Sequence, residues 1–224
     1  EVTRLLDAYA IPATPIVCAA DPDAAVAAAE PLLAVEKVAT PNQATVAEVT
    51  AFLKVAPEKL IKTLFYKTES EFIAVLVRGD DDLNEIKLGN LLNQPYWLAA
   101  PEEIAKKLGL PVGYVGPVGL KEKGVKVFAD LRIQTMKNAI CGANEQDFHL
   151  RHVNLERDFT VDTFADLRLA KAGDACVHCG QPLQETSHCS AKPVRYVLEM
   201  NQGWFAAKHI KAGNKLGGEI FKRP

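Results

Sequence analysis

The stretch that decides the fold is PEKLIKTLFYKTESEFIAVLVRGDDDLNEIK, residues 57–87. Read in steps of two, its first half puts Lys62, Leu64 and Tyr66 on one face of a strand, and Ile61, Thr63, Phe65 and Lys67 on the other. Its second half, FIAVLVR, is apolar on both faces, as in a strand that helices cover in the middle of a sheet. The pattern predicts strands over 61–67 and 71–78, joined by the polar turn TESE. Lys62 heads the first strand on the face of Leu64. A lysine there either snorkels to the rim or is held near something negative.

The flanking segments supply helices. TPNQATVAEVTAFLKV carries Val46, Val49, Phe52 and Leu53 at helical spacing behind a Thr-Pro-Asn start. DLNEIKLGNLL opens with Asp82 three residues ahead of Glu85, the capping-box spacing in its aspartate version. PEEIAKKLGL has Pro101 at its first turn and Gly109 near its end. The glycine-proline loop PVGYVGPVGL leads into the strand VKVFADLRI. A tight turn at Gly142 to Asn144 precedes a strand from Phe148 to Val153. Strands and helices mix without the strict alternation of a doubly wound sheet, which predicts a mixed α/β sheet flanked by helices.

With 224 residues, the chain has room for one large domain, or one with an appendage. A net charge of −2 leaves no broad basic face for wrapping duplex DNA or lying on an anionic membrane, though local contact with one end of a nucleic acid is allowed. No apolar run approaches the roughly 18 residues of a spanning helix. The first residues, EVTRLLDAYA, are acidic and amphipathic rather than a secretion signal. The cysteines number five, an odd count, and Cys18 and Cys141 stand alone in apolar surroundings. Together these features give a reducing cytoplasm as the expected compartment. Composition shifts divide the chain into a proline-broken lead-in over 1–35, an α/β domain over 36–183, and a divergent basic tail over 184–224 that could complete that domain.

Four clusters could carry chemistry. Lys62 is one, against the plainer reading of a rim lysine. The glycines of the loop around Gly116 and Pro117 permit close backbone approach to a ligand, though most such loops are connections. The small-residue turn CGAN, with Gly142, Ala143 and Asn144, could offer N–H groups to an anion or a carbonyl. Cys176-x-x-Cys179, followed by His188 and Cys189, has zinc-like spacing but lacks a second clean pair. No metal or other cofactor is therefore expected. No nucleophile elbow, P-loop, dinucleotide fingerprint or H-E-x-x-H motif occurs. A covalent protein nucleophile is not expected.

The segments VATPNQATVAEVTAFLKVAPEKLIKTLFYK, VLVRGDDDLNEIKLGNLL, GPVGL, CGAN and the run from Val153 to Leu183 occur in an order that resembles the insertion domain of bacterial-type prolyl-tRNA synthetases. That domain belongs to the YbaK-like family of aminoacyl-tRNA deacylases. The resemblance covers about Glu36 to Leu183. It implies a mixed, partly barrel-like sheet flanked by helices, and hydrolysis of alanine wrongly attached to proline tRNA. Water would be the nucleophile, helped by the terminal ribose hydroxyl. Lys62 would contact the aminoacyl-adenosine end, and CGAN would line the pocket. Asn154, Arg157 and Asp158 would lie at its edge, with Arg78 among the binding residues. Leu64, Leu76 and Ile140 are the expected walls that exclude proline. The family's closing glycine-histidine turn has no secure counterpart; His209 is the candidate histidine, and Glu219 stands in the other possible alignment. The expected partners are the acceptor end of a mischarged alanyl-tRNA and the remainder of a synthetase, with no membrane. Rival readings are a free-standing deacylase for another small residue such as cysteine, and a silent tRNA-binding or zinc-organised module.

Overall fold

All of Phe72–Arg78 except Phe72 is buried, and this strand, β3, stands at the centre of a sheet. In the computed structural model, which describes residues 30–175 and 181–183, β3 pairs antiparallel with β2 (Ile61–Lys67) on one side. On its other side it pairs parallel with β5 (Lys126–Asp130). The edges are β4 (Trp97–Leu98) beside β2 and β8 (Thr163–Ala165) beside β5, giving the order β4-β2-β3-β5-β8. A second sheet runs β1-β7-β6, from Glu36–Ala39, Phe148–Val153 and Ala139–Gly142. The fold is mixed α/β, as the sequence pattern implies. The described strands form two open sheets and no closed barrel.

Alternation on β2 sorts the core. Ile61 and Phe65 turn toward the second sheet and share a cluster with Leu76, Cys141 and Val153. Tyr66 turns the other way, with Leu64 beside it, to pack with Ile73, Val75 and Leu88. Leu88 belongs to helix α2, Glu85–Leu92. A third cluster joins Val49 of helix α1 (Val46–Leu53) to Leu60 and Ile140. Helix α3 (Pro101–Leu108) adds Ile104 to the first cluster.

The helix starts refine the sequence reading. Helix α1 begins after Thr45, whose hydroxyl accepts from the Glu48 N–H while the Glu48 carboxylate accepts from the Thr45 N–H. Such a box stabilises a helix by about 1 kcal/mol. For α2 the cap is Asn84, whose Oδ1 accepts from the N–H groups of Ile86 and Lys87. Asp82 is thereby freed from the capping role its spacing suggests. As expected, α3 starts at Pro101 and ends on Gly109, which takes the left-handed conformation at φ 67°.

The described end of the lead-in is tied down. Glu30 binds Lys59 and Asn138, and the Leu33 N–H donates to Asn138 Oδ1, so the described part of it is fastened to the domain.

Candidate active site

Beta-strand β2 has a partner along its whole length on the β3 side only, because β4 pairs with it only at Tyr66 and Lys67. The open part of that edge faces the second sheet across a cavity of about 410 Å³. Its walls come from Thr45, Val46 and Val49 of α1 and its cap, from Ile61 through Phe65 of β2, and from Leu98, Pro101 and Ile104. Val112, Gly113 and Val115 of the glycine-proline loop close it, with Cys141, Gly142 and His149 from the second sheet. Among the described residues the lining is apolar but for Thr45, Thr63, Lys62 and His149, together with the Cys141 thiol, and contains no carboxylate.

Two glycines let the loop reach that wall. A Cβ on Gly142 would lie 2.2 Å from the Tyr114 carbonyl oxygen, and one on Gly116 would lie 2.0 Å from the Gly142 oxygen. No side chain fits at either position without moving backbone. Asn144 then pins the loop: its Oδ1 accepts from the Gly116 N–H at 2.9 Å, and its Nδ2 donates to the Val118 oxygen at 2.6 Å. Asp147 ties two further strands of chain together, accepting from the Asn42 N–H and the Tyr114 hydroxyl. Those two bonds hold its carboxyl below the usual aspartate range.

The tip of the turn therefore shapes the cavity rather than lending donors to it. The Ala143 N–H is committed to the Phe148 oxygen at 3.1 Å, and the Asn144 N–H to the Tyr114 oxygen at 2.9 Å. Neither of these two amides is free to polarise an acyl carbonyl; the Gly142 N–H, whose residue lies opposite His149 in register, alternates away from β7. Cys141 is buried and its thiol is pushed up to about 12 by desolvation, so it stays protonated.

Lys62 borders the cavity, and its ammonium reaches Asp82 Oδ1 at 3.2 Å. That side chain is 23% exposed and its partner 74%, so solvent screens the pair and the ammonium remains available to a more strongly charged group. Of the expected walls, only Leu64 borders the cavity, and its side chain packs with Tyr66 on the other face of β2; Leu76 lies in the core between the sheets, and Ile140 packs with α1. Arg78 forks onto Asp80 at 2.6 and 2.9 Å, away from the lining. Asn154 and Asp158 do not reach the cavity. Asn154 binds Asn138 and its own N–H donates to Asp158 at 2.7 Å, while Arg157 grips Asp158 and the Leu33 oxygen. This segment is a latch that holds the lead-in. Pro117 is likewise outside the lining. His209, Cys176, Cys179, His188 and Cys189 lie outside the described residues. Among the described residues, no group of three or more histidine, cysteine, aspartate or glutamate side chains could hold a metal ion.

The histidine that the structure brings to the cavity is His149. It is 4% exposed, and its Nδ1 lies 2.7 Å from the Thr40 hydroxyl, leaving Nε2 with no partner among the described residues. Desolvation lowers its pKa below the ordinary 6.5, so the ring is neutral near pH 7. The sequence reading passed over it because FHLRHV reads as an ordinary strand. The one signal was its place five residues after Asn144, where a hairpin folds it back against CGAN.

A model of the aminoacyl-tRNA editing domain family matches residues 40–159, from Thr40 beside His149 to Phe159 of the core. The chain belongs to that family. The chain is 48% identical over 174 residues to a proline–tRNA ligase of Moorella thermoacetica, covering 75% of this chain and 30% of the relative. It is 48% identical over 142 residues to the proline–tRNA ligase of Bacillus subtilis, covering 63% and 25%. The chain thus spans under a third of the length of these curated relatives. A solved structure assigned as a trans-editing enzyme for prolyl tRNA synthetase shares the fold, with a TM-score of 0.50, 20% identity, and coverage of 61% of this chain and 87% of that one. Residues 175–218 match a second family model, described as an uncharacterised one, over a stretch almost wholly outside the described residues. Among the described residues, no helix is long and apolar enough to cross a membrane.

Proposed function

We infer that this editing domain hydrolyses the ester between a small amino acid and the acceptor end of a tRNA, with alanine on proline tRNA as the favoured substrate. The observation that carries the reading is the cavity itself, whose described residues are apolar, free of carboxylates, and bordered by one lysine and one neutral imidazole. A synthetic proline pocket cannot strongly reject the smaller alanine, since missing methylenes are worth only about 1–3 kcal/mol of discrimination. A second site that admits the small acyl group and excludes the ring supplies the rest.

In this scheme Lys62 leaves its screened contact with Asp82 for the phosphate of the terminal nucleotide. Water attacks the acyl carbon, the bond from that carbon to the ribose oxygen breaks, and the ribose oxygen takes a proton. His149 Nε2 is positioned to orient water or the acyl oxygen, as donor in one tautomer and acceptor in the other. The terminal ribose hydroxyl is the other group on hand to activate water. The domain would work in the cytoplasm, joined to or beside a synthetase. Its boundaries are taken as 36–183. The match of residues 175–218 to a different family favours a separate module in the tail over a strand that completes this domain.

Purified chain should deacylate alanyl-tRNA(Pro) while leaving prolyl-tRNA(Pro) intact. Preference for cysteinyl-tRNA would point to the free-standing rival, and no hydrolysis of either misacylated tRNA would sink the reading.

A further inference from the structure

One residue in the cavity carries polar groups that the fold leaves without partners. On β2 the Leu60 oxygen accepts from the Gly79 N–H on the β3 side, whereas the Phe65 oxygen accepts from the Ala99 N–H on the β4 side. Backbone groups of a strand alternate, so the N–H and C=O of Thr63 point with those of Phe65, away from β3. There the β2–β4 register, continued from Tyr66↔Leu98, sets Thr63 opposite Pro101. Proline has no N–H to give, and the chain turns there into α3. The Thr63 hydroxyl is also buried without a partner. An orphaned buried hydroxyl costs about 1–3 kcal/mol, and valine would fill the same volume without that cost. Fold stability therefore does not account for threonine at this position.

We propose that Thr63 binds the α-amino group of the substrate's acyl moiety, through its main-chain carbonyl and its hydroxyl. The inference rests on the deacylase reading for the identity of the ligand, and adds the chemical group that the cavity recognises. An α-ammonium brought into this cavity meets no carboxylate among the described lining residues, so neutral acceptors take its protons. Thr63 supplies two, one fixed by the strand and one that a single χ1 step exchanges with the methyl group. Its neighbour Lys62 carries like charge, but alternation puts that side chain on the opposite face of β2, beside Asp82 in the free chain.

The test uses the full chain and two non-hydrolysable probes: the amide of alanine on 3′-amino-3′-deoxyadenosine, and the propionyl amide that lacks only the amine. The native chain should bind the alanyl probe about tenfold more tightly than the propionyl probe, the scale of one hydrogen bond to a charged group. Thr63→Val should erase most of that difference with no loss of thermal stability, and Thr63→Ser should keep it. Equal binding of the two probes by the native chain, or an undiminished preference in Thr63→Val, overturns the proposal. Binding is read without turnover, so a chain that prefers the alanyl probe but hydrolyses no tRNA would support Thr63 as the amine site while removing the deacylase reading.

Discussion

Strand β2 and its partner β3 run between two regions built on opposite electrostatic plans. At the end of β3, the run Arg78 to Asp82 meets Arg132 and the segment 166–174 in a dense set of ion pairs. Asp81 has no exposed surface; it takes Arg132 at 3.0 Å and Lys171 at 3.2 Å, with Arg78 3.9 Å away. Asp130 adds no cation, but its carboxylate accepts from the backbone N–H groups of Arg132, Leu167 and Arg168. Burial alone would raise the Asp80 and Asp174 carboxyls. Arg78 for the first, and Arg168 for the second, outweigh it and hold both below the usual range. The cavity at the edge of β2 has the reverse plan, with an apolar lining and a histidine kept neutral by burial. One region spends its charges on one another to fix loops; the other keeps charge out so that an uncharged ester and its few polar contacts dominate. Lys62, paired in register with Val77 one residue before Arg78, stands at the join.

The largest effect should come from breaking the charged region. Asp81→Ala leaves Arg132 and Lys171 facing each other without their shared anion, and removing one partner of a buried ionic set typically costs about 3–5 kcal/mol. Urea unfolding should show that loss, whereas the sheet edge at β2, which Asp81 does not touch, should keep its selectivity in whatever fraction folds. A loss under about 1 kcal/mol would mean that the network is ornamental.

Next in size is a paired truncation that separates wall from core. Leu76→Ala empties a fully buried position between the sheets and should cost about 2–5 kcal/mol without admitting proline. Val46→Ala trims the cavity lining on the α1 side and should raise prolyl-tRNA hydrolysis about tenfold, the scale of a methylene or two in an apolar pocket, at a smaller stability cost. If Leu76→Ala gains prolyl-tRNA activity and Val46→Ala does not, the wall has been misplaced.

Lys62→Ala tests the join. Deacylation should fall about a hundredfold, equivalent to roughly 2.7 kcal/mol of transition-state stabilisation. Stability should shift by less than about 1 kcal/mol, because its partner Asp82 is 74% exposed. Unchanged turnover would remove Lys62 from the mechanism.

These cases also show what the sequence could carry. Period-two alternation and the two-sided apolar run place β2 and β3, because burial on one or both faces writes itself into local spacing. Lys62 was legible for the same reason: a charge at the head of an otherwise apolar strand is a local anomaly. His149, Thr40 and the lining residues of α1 were not, since their meeting depends on β7 folding back on β6 and on Asp147 holding the Asn42 loop. CGAN was legible as a turn but not in its role, because the commitment of the Ala143 N–H to Phe148 is a tertiary fact. Leu76 and Ile140 failed as walls for a related reason: apolar residues near a site in sequence look alike until the sheet decides which face each one takes.

The smallest effect tests the neutral histidine. Burial lowers the His149 pKa in the folded chain below the 6.5 of an ordinary histidine, so between those two values the unfolded chain binds more protons. Its contribution to stability is therefore present above the ordinary value and is lost as pH falls through the lowered one. Glu48 and Asp147, which act on the Tyr114 ring that meets His149, also have lowered values, but they start from 4.5 and 3.8 and act in a more acid window. The native chain should thus lose stability on acidification from about pH 7 before any carboxylate effect begins. His149→Gln keeps a polar group near Thr40 but cannot be protonated, so it should lack that upper limb while sharing the lower one. Deacylation should follow the same limb if the neutral ring takes part in it. Urea midpoints for both chains between pH 5 and 8 decide the matter: parallel curves would show that His149 titrates as an ordinary solvated histidine, and that the cavity does not hold it neutral.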